Sequence, residues 1–388
     1  MMHDSMQAHR EWSERPADER FWNLQELLGY VSPSKTHDAE LVLDHGYARV
    51  VETESENIAI HFNNEVYSLN NWSMQQLCTR VSAPLEFLAR MPSDLVVQCL
   101  NEAIDQKKLS ASNTMMLVNP GRKIRRITSD RYTTIWDADV VSNLVDLASE
   151  GWRVPPGRPN SDPAVLMMSR AATEDDVLRN ASHPSLGIKV GDMIAPAGLY
   201  AGDRDLFCFL IDESNPIQDP ITKQPLYRGI MVSNSEVGSK AFSLTAFLFH
   251  SVCGNHILWG GTQKLFGVRI RHTGVADTKY WIEVQYALAD YVKEPESGVQ
   301  KVLNRWMTYR IADTAEEAIA FLFGKRILGK ARAADAIALA SSIPEAGDPL
   351  SCWGIAQALT RMSQSEMFAD RRAELDGAAS SIMALAAS

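Results

Sequence analysis

The sequence has no run of about 18 apolar residues, the length a helix needs to span a bilayer. Its first twenty residues, MMHDSMQAHREWSERPADER, are polar where an export signal would be apolar. A secreted or membrane-spanning protein is therefore not expected. Cysteine is sparse: Cys78, Cys99, Cys208, Cys253 and Cys352 are odd in number, scattered and never arranged as CxxC. That usage argues against a disulfide framework and fits a reducing cytoplasm, with the thiols as small buried side chains. The signatures GxSxG, HExxH and GxGxxG are missing as well, so nothing compels an enzyme. Positive charge is in deficit: 38 Lys and Arg against 48 Asp and Glu give a net charge of −10. This argues against broad attraction to a polyanion, although a local basic groove needs only part of the surface.

What is present is an ordinary globular composition, 45% apolar and 22% charged, over 388 residues, a length natural for two or three domains. Residues 10–30 mix charge with Trp12, Phe21, Trp22, Leu24, Leu27 and Leu28, as in a docking arm or short helix. From Ala48, ARVVETESENIAIHFNNEVYSL reads as a small three-stranded meander. Over residues 73–106 the spacing of Leu77, Val81, Leu85 and Leu88, with breaks at Pro84 and Pro92, predicts two or three short helices. As a helix-turn-helix these would offer only Arg90 as a basic base reader, so packing helices are the preferred reading.

Strands dominate residues 112–290: NTMMLVN, RKIRRIT, RYTTI, AVLMMS, DMIAPAGLYAG, LFCFLIDE, RGIMVSNSEVG, AFSLTAFLFHSVCGNHILWG and LFGVRIRHTG, interrupted by the helix WDADVVSNLVDLASEG. From Tyr280 the texture is helical, with capping-box spacing at Thr314 and Glu317 and an alanine-rich stretch at 332–342. The expected fold is α+β in three regions. These are an arm, meander and short helices (1–110), a central, largely antiparallel sheet domain (111–290), and a helical region (291–388).

Three stretches carry candidate chemistry. In FHSVCGNHILWGG, residues 249–261, His250, Cys253 and His256, with the later His272, could supply four ligands to zinc. In a continuous strand, however, residue 253 points away from 250 and 256, and the reading preferred is strand and turn, with no metal and no cofactor. In VSNSEVGSK, residues 232–240, Gly238 and Lys240 lack phosphate-loop spacing, and a strand ending in a turn at Gly238 is preferred. The pairs Asp137 with Asp139 and Asp203 with Asp205 read as solvated carboxylates of a helix start and a turn.

The third stretch is GRKIRRITSDRY, residues 121–132, where Arg122, Lys123, Arg125, Arg126 and Arg131 crowd together. In a regular strand Arg122 and Arg126 share one face with Ile124, and Lys123 and Arg125 share the other with Ile127. A second group, Lys264, Arg269, Arg271 and His272, follows later. Were the two neighbours in one sheet, they would form a basic stripe with Tyr132, Trp136 and Trp259 available for base stacking. The competing reading pairs these cations with the acidic residues of the chain, and the sequence leaves both open.

Taken in order, RPADERFWNLQEL, RRITSDRYTTIWDADVV, RGIMVSNSEVGSKAF, SVCGNHILWG, VRIRHTG and WGIAQALTRMSQ resemble the phage/plasmid-like family of unknown function (domain of unknown function 932), over roughly residues 10–380. The resemblance implies a passenger of phages, plasmids or integrated elements and carries over no catalytic mechanism. The position of His256 is more often glycine in that family, which undercuts it as a ligand.

The function expected is noncatalytic binding of nucleic acid, single-stranded DNA above all, for annealing or protection. Arg122, Lys123, Arg125, Arg126 and Arg131 would contact phosphates, Lys240, Arg269 and Arg271 would form a second rail, and Tyr132 and Trp259 would stack on bases. The C-terminal helices offer a surface for self-association, and no membrane partner is expected. The alternatives are a metal-dependent enzyme acting on nucleic acid or nucleotide, centred on His250, Cys253, His256 and His272, and a protein-binding module directed at a host defence factor.

Overall fold

The computed structural model describes residues 17–43, 48–54, 57–106, 114–157, 166–179, 188–218, 225–250, 255–258, 267–293, 296–343, 346–365 and isolated positions between 375 and 386. It is an α+β protein built on two sheets.

The first sheet contains β1 (Ala39–Leu43), β2 (Arg49–Glu52), β3 (Ile58–Phe62), β4 (Glu65–Leu69), β5 (Thr114–Val118) and β6 (Lys123–Ser129), ordered β1-β5-β6-β4-β3-β2. Its pairs are antiparallel except β4 with β6. The expected meander is β2–β4, with Asn63 and Asn64 turning the chain at φ 51° and 61°, conformations that asparagine tolerates. The helices α2 (Asn71–Arg80), α3 (Leu85–Leu88) and α4 (Ser93–Asp105) follow the expected breaks at Pro84 and Pro92. Asn70 caps α2, and Ser73 closes the capping box from inside the helix. These helices bury Leu77, Leu88, Val96 and Leu100 against one face of the sheet. Because β5 and β6 are inner strands of the sheet begun by residues 39–69, the division expected at residues 110/111 runs through a single sheet. The β4–β6 pairing, made across three intervening helices, is a long-range contact that local texture does not reveal.

The second sheet orders β10 (Leu199–Ala201), β11 (Leu206–Gln218), β12 (Pro225–Asn234), β13 (Phe242–His250) and β14 (Asn255–Leu258), with β7 (Trp152–Arg153) beside β11 and β15 (Gly267–Ile270) beside β13. Its pairs are antiparallel. One face packs on α1 (Leu24–His37), α5 (Asp137–Ser149) and α7 (Ala276–Lys293). The other is an aromatic layer that includes Tyr200, Phe207, Phe209 and Phe247. A further pair joins β8 (Arg170–Ala171) to β9 (Met193–Ile194), with the short helix α6 (Glu174–Arg179) between them in the chain.

Two expected strands are absent among the described residues. Leu166–Ser169 form a turn, closed by Ser169 N–H donating to the Leu166 carbonyl at 3.1 Å, with Met167 exposed. RYTTI contributes only a bridge from Tyr132 to Thr273.

The helices α8 (Glu296–Thr308), α9 (Ala315–Gly324), α10 (Lys330–Ala340) and α11 (Cys352–Ser365) build a core around Trp306 and Trp353. Thr314 and Glu317 form the predicted capping box. Ile217 and Leu226, opposite each other at the far end of the β11–β12 hairpin, enter the same core.

Candidate functional site

The basic run leaves strand alternation at one residue. Leu117 pairs with Arg126 and Val118 with Ile124, so Arg125 is the extra residue of a bulge. Ile124 and Ile127 thereby share one buried face, where regular alternation would have separated them. The two neighbouring arginines are freed to meet acids on the far side.

Arg125, 17% exposed, donates to Asp38 at 2.5 Å and to Glu236 at 2.9 Å. Arg126, 1% exposed, donates to Glu40 at 2.5 Å, to the Thr134 hydroxyl at 2.9 Å and to the Glu236 carbonyl at 2.6 Å. Pairing with acidic residues is thus what the structure gives these two arginines, and neither presents its guanidinium to solvent as a phosphate contact would require.

Glu236 lies just past β12, in the Asn234-Ser235-Glu236 segment, and reaches α5, where its Oε1 accepts from Asp137 N–H at 2.9 Å. The Asn234 amide donates to Asp137 Oδ1 at 2.7 Å and to the Ile135 carbonyl at 2.8 Å. Asp137 is therefore a buried member of this cluster, not the solvated helix-start carboxylate expected, since the second sheet closes over the start of α5. Burial, and then the neighbouring Glu236 charge, raise the Asp137 pKa well above the usual carboxylate range. Burial raises Glu236 too, while Arg125 pulls it back.

Tyr132 is held on every side. Its hydroxyl donates to the Ser235 carbonyl at 2.6 Å, the Arg126 guanidinium lies 4.5 Å from the ring centroid, and the His272 ring stacks parallel to it at 4.9 Å. Gly238, at φ +79°, is where the turn needs a residue without a Cβ, which would come 3.3 Å from the Tyr132 ring. This close packing leaves Tyr132 no open face for a base.

His272 Nδ1 lies 3.2 Å from the Thr133 carbonyl and is assigned as the donor, because a carbonyl can only accept. Its Nε2 then carries a buried lone pair with no hydrogen-bond partner among the described residues. Burial pushes the His272 pKa down from 6.5 to about 4. The folded protein therefore binds fewer protons than the unfolded chain between these values. The stability so contributed is present above pH 6.5 and lost as the pH falls toward 4. An NMR titration of the His272 ring is expected to show a midpoint near 4, and a midpoint at 6.5 would refute this environment.

The remaining cations divide. Lys240 is 2.9 Å from Asp205 and lies over the Phe207 ring at 3.6 Å, which withdraws both Lys240 and Asp205 from the surface roles expected of them. Arg122, in a left-handed turn at φ 56°, pairs with Glu65, and Lys123 is 3.9 Å from Asp203. Arg131, Arg269 and Arg271 are exposed.

The two basic segments belong to different sheets, so they form no continuous stripe, but they meet end to end. Tyr132 bridges Thr273, and Thr133 N–H donates to the His272 carbonyl at 2.9 Å. Trp136 immediately precedes α5. Trp259, Lys264 and Cys253 lie outside the described residues.

Of the FHSVCGNHILWGG stretch, the described residues belong to β13 and β14, where His250 pairs with Asn255 and Phe249 with His256. Residues directly opposite share a face, so His250 and His256 occupy positions of opposite parity. Among the described residues no group of three or more His, Cys, Asp or Glu is arranged to hold a metal, and no helix is long and apolar enough to cross a membrane.

Three motifs far apart in the chain thus converge on one polar cluster between the sheets. Comparison with known families covers part of this cluster. Residues 188–337 match the family model of a domain of unknown function (DUF932). This bears out the resemblance over a segment that is less than half of the chain. The DUF932 segment contributes Asn234, Glu236 and His272 to the cluster, while Asp38, Glu40, Arg125, Arg126, Tyr132 and Asp137 come from before it. Neither the curated proteins nor the solved structures yield a match.

Asp38, Glu40, Asn234 and Glu236 are the members that sequence reasoning missed. The signal that marks the last two is polar residues directly following the apolar run of β12.

Proposed function

We propose that this protein binds single-stranded nucleic acid, DNA foremost, without catalysing a reaction on it, and so anneals or protects strands of a phage- or plasmid-like element in the cytoplasm. The observation that carries this reading is the junction of the two sheets. Arg131 and Arg271 lie in the segments that the Tyr132–Thr273 bridge joins, and they and Arg269 of β15 are exposed and, among the described residues, without an ion pair.

The cluster beneath them supports the reading as a scaffold. Arg125, Arg126 and Tyr132 hold the junction rigid, and a rigid support is what a cation row needs if phosphate contacts are to be made without ordering costs. Arg122 and Lys123, at the other end of β6, are further candidate phosphate contacts. Their surface ion pairs contribute little and can be exchanged for phosphates. Self-association along a bound strand, through the C-terminal helices, belongs to the same proposal.

The test is the salt dependence of binding to a fluorescent oligothymidylate. Each phosphate contact contributes a slope of about −0.7 in log affinity against log salt for a single strand. Replacing Arg131, Arg269 and Arg271 with alanine is expected to weaken binding and flatten the slope by up to about 2. Wild-type protein that binds no oligonucleotide at low salt would overturn the proposal.

A further inference from the structure

Residues 318–334, AIAFLFGKRILGKARAA, hold four cations and no acidic residue, in a chain whose 48 acidic residues outnumber its 38 basic ones. Lys325, Arg326 and Lys330 of this run gather at the turn between α9 and α10, and all three are exposed. None of them makes an ion pair among the described residues. The acids of α9, Glu316 and Glu317, stand in its first turn, at the end away from these cations. Asp335, the first acid after the run, lies about 140° round α10 from Lys330, at 100° per residue.

The turn itself is tight. Arg326 N–H donates to the Phe323 carbonyl and Ile327 N–H to the Leu322 carbonyl, both at 3.0 Å, the two bonds of a Schellman motif. The residue just past the helix cap in this motif is left-handed and commonly glycine. Here it is Arg326, at φ 57°, although Gly324 and Gly329 stand close by in the chain. An arginine strains the backbone at that place, so the turn does not require it. Lys330 is not explained by its helix either, since it opens α10, where the positive end of the dipole repels an ammonium. Two of the cations are steadied by rings: Lys330 Nζ lies 5.1 Å from the Phe323 centroid and Lys325 Nζ 5.7 Å from that of Phe321. Such contacts orient a charge without neutralising it. An open hollow of about 510 Å³, with Phe323 and Arg326 in its wall, lies at the same turn.

Resting on the nucleic-acid reading above, we infer that the α9–α10 turn is a second phosphate-binding surface for the strand, with Arg326 as its principal contact and Lys325 and Lys330 beside it. Cations with no acid among them complement a backbone that carries a charge at every nucleotide. The hollow is open to one side, which suits a chain passing across it better than an enclosed small molecule. The helical region thereby takes part in binding the strand, where the sequence reading gave it self-association alone.

The test rests on Arg326→Gly, which removes the charge and at the same time relieves the left-handed backbone, so that binding and folding respond in different directions. Affinity for a fluorescent oligothymidylate is measured across a salt series, and the melting temperature of each protein is recorded. The set is wild type, Arg326→Gly, the triple variant Lys325→Ala/Arg326→Gly/Lys330→Ala, and Lys301→Ala, which removes one exposed charge from α8. Arg326→Gly is expected to melt at or above the wild-type temperature and to flatten the salt slope by about 0.7, and the triple variant to flatten it by about 2. Lys301→Ala is expected to leave the slope unchanged. Wild-type binding whose slope the triple variant leaves intact would overturn the inference and leave the nucleic-acid reading standing. So would an Arg326→Gly protein that melts below wild type, which would assign the arginine to the fold, or a Lys301→Ala protein that flattens the slope equally, which would assign the effect to overall charge. Absence of binding by wild type would overturn both.

Discussion

Replacing Arg126 with alanine is expected to cost about 3–5 kcal/mol of folding stability, the range for removing one partner of a buried ion pair. The value should lie toward the lower end, because Glu40 is 40% exposed and recovers some hydration. The remaining loss has identifiable origins: the Glu236 carbonyl loses a donor at 2.6 Å, Thr134 loses one at 2.9 Å, and the Tyr132 ring loses the guanidinium packed over it. Arg126→Lys should recover less than half, since one ammonium cannot reproduce a planar fork that reaches Glu40, Thr134 and Glu236 together. Urea unfolding measures this directly, and a midpoint within experimental scatter of wild type would show that Arg126 does not hold the junction. A practical consequence follows for binding work. Variants at Arg125 or Arg126 lose the fold's polar clamp, so their failure to bind DNA would say nothing about phosphate contacts. Arg131, Arg269 and Arg271 are the positions to alter.

The second large effect lies in the helical region. Trp353 is fully buried at the start of α11, and Trp353→Ala is expected to cost about 3–5 kcal/mol through lost burial and the cavity left behind. Folded domains hold only about 5–15 kcal/mol in all, so much of the margin would go. Because Ile217 and Leu226 of the β11–β12 hairpin belong to the same core, hydrogen exchange should accelerate in α8–α11 and at the hairpin's far end together. Acceleration confined to the helices, with the hairpin unaffected, would mean that the sheet and the helical region do not share that core.

Much of the secondary structure was legible because it rests on local signals. The helix over 137–149 declares itself by the spacing of Val140, Val141, Leu144 and Leu147, and the capping box at Thr314 and Glu317 by residue type alone. The site was legible only as a set of segments. Strand alternation assigned Arg125 and Arg126 to opposite faces, and the bulge at Arg125, which nothing in RKIRRIT announces, undid that assignment. Nor can a sequence show that Arg125 meets a carboxylate 87 residues earlier or Arg126 a carbonyl 110 residues later. Whether a cation is spent internally or offered to a ligand depends on such distant partners. For that reason Arg131 and Arg271 looked the same as Arg126 in the sequence and stand in opposite environments in the fold.

The order in which those partners are synthesised matters as well. When β6 is made, Glu40 and Asp38 already exist, and the first sheet can close on β1, β4 and β5. Glu236 follows 110 residues behind Arg126, an interval of roughly 5–20 s at ribosomal rates of about 5–20 residues per second. A first sheet that forms in that time holds central arginines that are half-satisfied and still accessible to water. Closure of the second sheet over them is the event that ends this exposure.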